Sequence, residues 1–284
     1  MKITLQNIND YDTNISEENN SFEKFKSRKR KLSAIQRVSN LVSDDGSGCS
    51  FTNGDLEELR STGMLDELLS VIKSGKEASV YLGKREEEYF AVKIYTDLRV
   101  RSFRKDDIYR QGRFIGESRI QKAIDHGSEF GLNAHQILWV QEEYRQMKFL
   151  YNAGIPVPKP AAVSGLIVVM EFIGSDGQPA ERLSDLRLEK DEAEEAFRQS
   201  LKILESIVSA GRVHGDFSAY NILWHNGKAI AIDFPQVVGI DSNNSAKEIL
   251  LRDVNSLCKS FKRHKIEPDA GRIYNNLIKL MREY

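Results

Sequence analysis

Cysteine is nearly missing, with two in 284 residues. Cys49 and Cys258 form no metal-type spacing, and so sparse a count fits a reducing cytoplasm rather than a disulfide scaffold. Long apolar runs are missing as well. The longest, around Ala161 to Met170, is too short to span a bilayer, and Met1 to Tyr11 lacks a signal-peptide core, so no membrane partner is expected. Neither charge dominates: 41 basic residues face 42 acidic ones, and a net charge of −1 argues against a protein that coats nucleic acid. What is present, 40% hydrophobic residues, suffices for one two-lobed core once a polar, disordered leader over residues 1–53 is set aside.

The most informative stretch is His214-Gly215-Asp216-Phe217-Ser218-Ala219-Tyr220-Asn221, followed by Ala231-Ile232-Asp233-Phe234. Its spacing is that of a phosphoryl-transfer site. Asp216 stands where a carboxylate accepts a hydroxyl proton, Asn221 where an amide binds magnesium without adding charge, and Asp233 where a carboxylate chelates magnesium across phosphates. Between them, Asn221 to Trp224 and Ala229 to Asp233 are β-prone runs joined through Asn226-Gly227, a strong hairpin signal. The hairpin would turn Asn221 and Asp233 toward one pocket. His214 reads as a packing residue, since this chemistry leaves it no proton to move.

Upstream, Val71 to Tyr81 reads strand, turn, strand, and Tyr89 to Tyr95 is a further strand. Period-two alternation puts Ala91 and Lys93 on one face and Val92 and Ile94 on the other. A small residue beside a lysine suits a nucleotide pocket: Ala91 leaves room for the base, and Lys93 reaches the phosphates and pairs with a glutamate. That partner is expected to be Glu143, on a helix over Ile137 to Asn152 whose apolar stripe is Val140, Tyr144, Met147 and Tyr151; Glu142 lies about 100° round the helix. The turn at Ser74-Gly75-Lys76 has a single glycine and suits a plain hairpin as well as a phosphate cradle.

Taken together, these segments resemble the RIO family of atypical serine/threonine protein kinases. The resemblance rests on Ser74 to Tyr81, Ala91-Val92-Lys93-Ile94-Tyr95, Ala153 to Pro160, Val169 to Gly174 with Asp176-Gly177-Gln178-Pro179-Ala180, the Asp216 loop and Ile232-Asp233-Phe234-Pro235-Gln236. It implies an α+β, two-lobed protein-kinase-like fold with a β-rich N-lobe and a reduced helical C-lobe. Residues 54–170 would be the N-lobe, with an N-terminal helix and a flexible insertion over 96–135; residues 171–284 would be hinge and C-lobe, and 54–284 together one kinase domain. The implied cofactors are ATP and Mg²⁺, with Mn²⁺ as a substitute. Ser74, Gly75, Lys76, Glu77 and Ala78 would line the phosphates, and Met170, Glu171, Phe172 and Ile173 the adenine. Asp216, Lys93 and Asp233 would be catalytic, and Asn221 and Asp233 would bind metal. Partners would be an unknown protein substrate in the cytoplasm and a ribosomal precursor or RNA. Two alternatives are a small-molecule kinase of the aminoglycoside or choline type, and an ATPase switch acting as a ribosome-associated scaffold.

Features of ordinary protein kinases are absent. His214-Gly215-Asp216 has no arginine to read a phosphorylated loop, Pro235 replaces a flexible glycine, and no A-P-E signature follows. Activation-loop switching and a complete peptide-docking platform are therefore not expected. The rest reads as scaffold: a helix over Ala193 to Ala210 with Phe197, Leu201, Leu204 and Val208 inward, a capping box at Ser245 to Glu248, a helix with Ile249, Leu250, Val254, Leu257 and Phe261 inward, and a last helix over Asp269 to Tyr284. Two basic regions stand out. Lys24, Lys26, Arg28, Lys29, Arg30 and Lys31 make a solvated arm or an RNA contact, and Arg99 to Arg113 falls in the 96–135 insertion.

Overall fold

The computed structural model describes residues 42–43, 50–51, 54–75, 77–95, 122, 124–126 and 129–283. Most of the expected polar leader, Lys76 and most of the 96–135 insertion therefore lie outside the described residues; within the leader, expected to be disordered, Val42–Ser43 and Ser50–Phe51 pair as two short antiparallel strands. Three strands with alternating side chains, β1 (Glu67–Ser74), β2 (Ala78–Arg85) and β3 (Glu88–Tyr95), follow one another antiparallel. A second hairpin, β4 (Pro160–Ser164) and β5 (Ile167–Glu171), completes the five-stranded sheet in the order β1-β2-β3-β5-β4. β3 is thus internal, with Lys93 opposite Val80 on one side and Val168 on the other.

Alternation in β3 divides its side chains between two apolar clusters. Phe90 and Val92 pack with Leu56 and Leu59 of α1 (Gly54–Ser61), whereas Tyr95 joins the main core on the opposite face. α1 is fastened at the β4–β5 turn, where Asp55 Oδ2 accepts the Leu166 N–H at 3.1 Å and the Ser164 hydroxyl donates to Glu58. The opposite face meets α2 (Glu129–Asn152), which begins eight residues earlier than the expected helix start at Ile137. Gly131, Asn133 and His135 weaken the helical pattern there, but Ala134, His135 and Gln136 are buried, so tertiary packing extends the helix. Its inner face also differs from the expected stripe. Trp139, Val140, Glu143, Gln146, Met147 and Leu150 are buried while Tyr151 is 38% exposed, which places Glu143 in the middle of the buried face rather than at its edge.

The C-lobe is built on α3 (Lys190–Ser209), the hairpin β6 (Ile222–His225) and β7 (Lys228–Ala231), α4 (Ala246–Phe261) and α5 (Ala270–Glu283). α3 buries Ala193, Ala196, Ser200, Ile203, Leu204, Ile207 and Val208. Phe197 and Leu201, expected inward, are half-buried because small residues let the helix approach its neighbours on the adjacent stripe. The expected capping box of α4 does not form: the Ser245 side chain makes no cap bond, and the buried Asn243 instead accepts the Ser245 N–H at 2.9 Å. One core runs from Tyr95, Val140 and Met147 through Phe217 and Phe234 to Leu257 and Leu277. Among the described residues no helix is long and apolar enough to cross a membrane.

Candidate active site

The sheet and α2 meet at one buried ion pair. Lys93 on β3 donates from Nζ to Glu143 Oε1 at 2.6 Å and, across the lobes, to Asp233 Oδ1 at 2.7 Å. Glu143 is 2% exposed, and its other oxygen accepts the Tyr95 hydroxyl. Glu142 is instead bonded to Arg145 and Gln146 of its own helix. Burial pushes the Glu143 carboxyl up, and Lys93 opposes that shift. For Lys93, burial alone would favour the neutral amine, but the Asp233 and Glu143 carboxylates together hold its pKa well above the ordinary value, so it is a firm cation.

The hairpin expected around Asn226-Gly227 forms as a two-residue turn with His225 opposite Lys228. Both turn residues have positive φ, 50° and 73°, which gives the mirror-image turn that matches strand twist. α3 grips it: Gln199 donates to the Gly227 carbonyl at 2.9 Å and accepts the Ala229 N–H at 2.9 Å. The strands end with the Ile232 N–H bonded to the Asn221 carbonyl at 2.9 Å, which brings Asn221 beside Asp233. Asp233 itself has φ 72°, left-handed backbone in a residue with a Cβ. Such strain is held by the packing of its neighbour Phe234, which is 1% exposed.

Asp216 and Asn221 form a pair. The Asn221 amide donates to the Asp216 backbone carbonyl at 2.8 Å and to Asp216 Oδ2 at 2.9 Å, which orients the amide so that its oxygen faces away from Asp216. Burial raises the Asp216 pKa, the Asn221 hydrogen bond opposes, and the Asp233 and Glu77 carboxylates raise it further. Its loop is tied down from α4. Asp253, 1% exposed, accepts the Gly215 N–H and the Phe217 N–H, both at 2.9 Å, and Ser260 accepts the Ala219 N–H at 3.2 Å. Gly215 has φ 89°, and a Cβ there would lie 2.5 Å from the Gln236 carbonyl, so the loop and the Asp233 segment approach too closely for any side chain. His214 is fully buried between Phe217 and Phe234, and burial pulls its pKa down to about 4. It is a neutral packing residue.

Of the expected nucleotide residues, Ala91 lies opposite Met170 in the sheet, so base-side and hinge-side positions adjoin. Glu171 starts the crossing to the C-lobe, and its carboxylate accepts the Lys159 N–H at 2.9 Å. Phe172 meets Tyr89 edge-on at 6.0 Å, and the Ile173 carbonyl accepts the Ala180 N–H at 2.9 Å. Ser74 and Ser79 share a hydroxyl hydrogen bond at 3.0 Å across the β1–β2 turn, where the Gly75 N–H reaches the Ala78 carbonyl at 2.9 Å. Glu77 is exposed and close enough to act on Asp216. Lys76 lies outside the described residues. Sequence reasoning missed Asp253, Tyr95 and Ser260: each is a lone polar residue in an apolar pattern, and only a polar residue on the buried stripe of α4 could have signalled Asp253.

An amide oxygen and a carboxylate are hard donors, the set that suits Mg²⁺ when phosphate oxygens fill the remaining positions. Among the described residues no three His, Cys, Asp or Glu side chains converge to hold an ion alone.

The RIO domain family matches residues 79–273. The RIO-type serine/threonine-protein kinase Rio1 of Haloferax volcanii is 32% identical over 256 residues, which is 89% of this chain and 81% of that protein. Human RIO3 is 30% identical over 218 residues, 72% of this chain, and human RIO1 is 32% identical over 216 residues, 74% of this chain. The chain spans 40% and 36% of those two longer proteins. Among solved structures, the Rio2 kinase of Chaetomium thermophilum has a TM-score of 0.61 at 21% identity, over 87% of this chain and 75% of that one. Its ADP/Mg²⁺-phosphoaspartate complex has a TM-score of 0.59 at 22% identity, over 87% and 74%. These two share the fold.

Proposed function

Since this chain belongs to the RIO family of atypical serine/threonine protein kinases, we propose that it transfers the γ-phosphoryl group of ATP to a hydroxyl of a protein acceptor, with its own residues in the following roles. Ala91 and the Met170 to Ile173 crossing receive the adenine. Lys93, held by Glu143, lies along the phosphates under the Ser74 to Ala78 turn. Asn221 and Asp233 hold Mg²⁺, which supplies charge neutralisation of the phosphates. Asp216 accepts the proton of the attacking hydroxyl, and its raised pKa brings its basicity nearer to neutral pH.

The observation that carries this reading is the bridge from Glu143 through Lys93 to Asp233, at 2.6 and 2.7 Å, beside the Asp216–Asn221 pair. Asp216→Asn should abolish phosphoryl transfer and leave nucleotide binding largely intact, since it removes a proton acceptor and no metal ligand. If millimolar Mg-ATP produced neither a rise in melting temperature nor heat in calorimetry, the reading would be abandoned. Family membership leaves the aminoglycoside-type alternative without support.

A second reading has its own support. The Asp233 carboxylate is 40% exposed on strained backbone, and the structurally similar Rio2 complex is described with a phosphoaspartate. In this reading an Asp233 oxygen bonds to the γ-phosphorus as the bond from that phosphorus to the β–γ bridging oxygen breaks and ADP leaves. Water later attacks the phosphorus, which restores the carboxylate and releases phosphate, and the cycle is that of an ATPase switch. Intact mass after incubation with Mg-ATP should then show one phosphate that hydroxylamine removes and Asp233→Asn does not carry. A hydroxylamine-stable phosphate with fast transfer to an added protein would reject it.

The cellular setting proposed is cytoplasmic, with the basic run Lys24 to Lys31 touching RNA or a ribosomal precursor. Deleting residues 1–40 should spare ATP turnover and remove a salt-sensitive association with RNA. Unchanged association would clear the arm of that role.

A further inference from the structure

Tyr95 lies two residues beyond Lys93 on the same face of β3, and it is 5% exposed. Its hydroxyl donates to Glu143 Oε2 while Lys93 donates to Oε1, so a single strand holds both oxygens of one buried carboxylate. The Lys93 ammonium also stands 5.0 Å from the centre of the Tyr95 ring. Lys93 has two anionic partners in this structure, Glu143 and Asp233. Under the function proposed above, on which this inference rests, Asp233 must turn its carboxylate to the metal, and Lys93 is then placed by Glu143 alone.

A carboxylate at 2% exposure with one oxygen unsatisfied is costly and, with a single tether, free to rotate about its last bond. We infer that Tyr95 is a positioning residue for phosphoryl transfer, pinning Glu143 to the lysine strand so that Lys93 keeps its place once Asp233 is taken by the metal. Glu143 sits mid-face on α2 between Val140 and Met147, which belong to the core shared with the C-lobe. The lysine–glutamate pair is assembled in this structure, with the helix packed in place and the carboxylate doubly tied.

Tyr95→Phe keeps the ring and removes one hydrogen bond to a charged group. The expected result is a fall of about tenfold in kcat for ATP turnover, with KM for ATP changing less than kcat and the melting temperature nearly unchanged. Radiolabelled ATP allows the same comparison in a Glu143→Ala background, where Tyr95→Phe, which keeps the ring, should have almost no further effect because the hydroxyl acts on Lys93 through Glu143. An unchanged kcat in Tyr95→Phe, or an equal fold-loss in both backgrounds, would overturn the inference and leave Tyr95 as core packing. Lys93→Ala, run alongside, separates the two readings. If it retains full turnover the proposed nucleotide site is wrong, whereas if it is inactive and Tyr95→Phe is normal only the clamp fails.

Discussion

Asp253 is the most exposed to chance of the residues around the site, because nothing in its local sequence marks it. Burial pushes its carboxyl up to about 7 although two backbone N–H groups bond to it. The folded value lies above the unfolded one, so folding takes up a proton between them. This group's contribution to stability is complete below the unfolded value and is lost as pH rises through about 7. Asp253→Asn should flatten that part of the stability–pH curve, measured by urea unfolding at pH 5 and pH 8. Asp253→Ala strands the N–H groups of Gly215 and Phe217 and should cost about 1–3 kcal/mol for each buried donor left unpaired. Glu77 offers a functional counterpart. Its charge raises the Asp216 pKa, so Glu77→Gln should move the acid limb of kcat/KM to lower pH. A limb that stays put would show that the Glu77 field does not reach Asp216 in solution. At this scale the gathering of Lys93, Asp216, Asn221 and Asp233 was legible because the phosphoryl-transfer chemistry proposed for them needs those types at those spacings. Tyr95 and Asp253 were not, since a tyrosine ending a strand or an aspartate on a helix looks like many others.

Elements were legible where turn chemistry or long periodicity marked them. The Asn226-Gly227 turn is the clearest case, and Gly227→Ala should cost about 1–2 kcal/mol because φ is 73° there, read as a lower urea midpoint at constant slope. Helix faces were read less well. In α3 the small residues Ala193, Ala196 and Ser200 line the buried stripe, so a reading weighted toward large apolar residues turned the face toward Phe197 and Leu201. At the start of α4 one local motif lost to another, the Asn243 side chain accepting the N–H two residues on. Asn243→Ala should therefore cost about 1 kcal/mol, whereas Ser245→Ala should be near neutral, and the opposite order would restore the capping box.

At the level of the whole molecule, the two-lobed α+β plan was readable from the order of strand-rich and helix-rich segments, but the continuity of the core was not. Trp139 on α2 and Trp224 on β6 are the chain's two tryptophans, both buried in the same cluster. Single-tryptophan variants, Trp139→Phe and Trp224→Phe, should report one common urea midpoint; two separated midpoints would mean lobes that unfold independently. The same continuity sets a timetable for synthesis. Gly215 is bonded to a residue 38 positions further along the chain. A growing polypeptide therefore displays Asp216, the one acidic residue of its loop, and Asp233 before α4 exists to shape them. Until α4 has emerged and docked, the Asp216 loop lacks the buried carboxylate that accepts the N–H groups of Gly215 and Phe217 and fixes its shape.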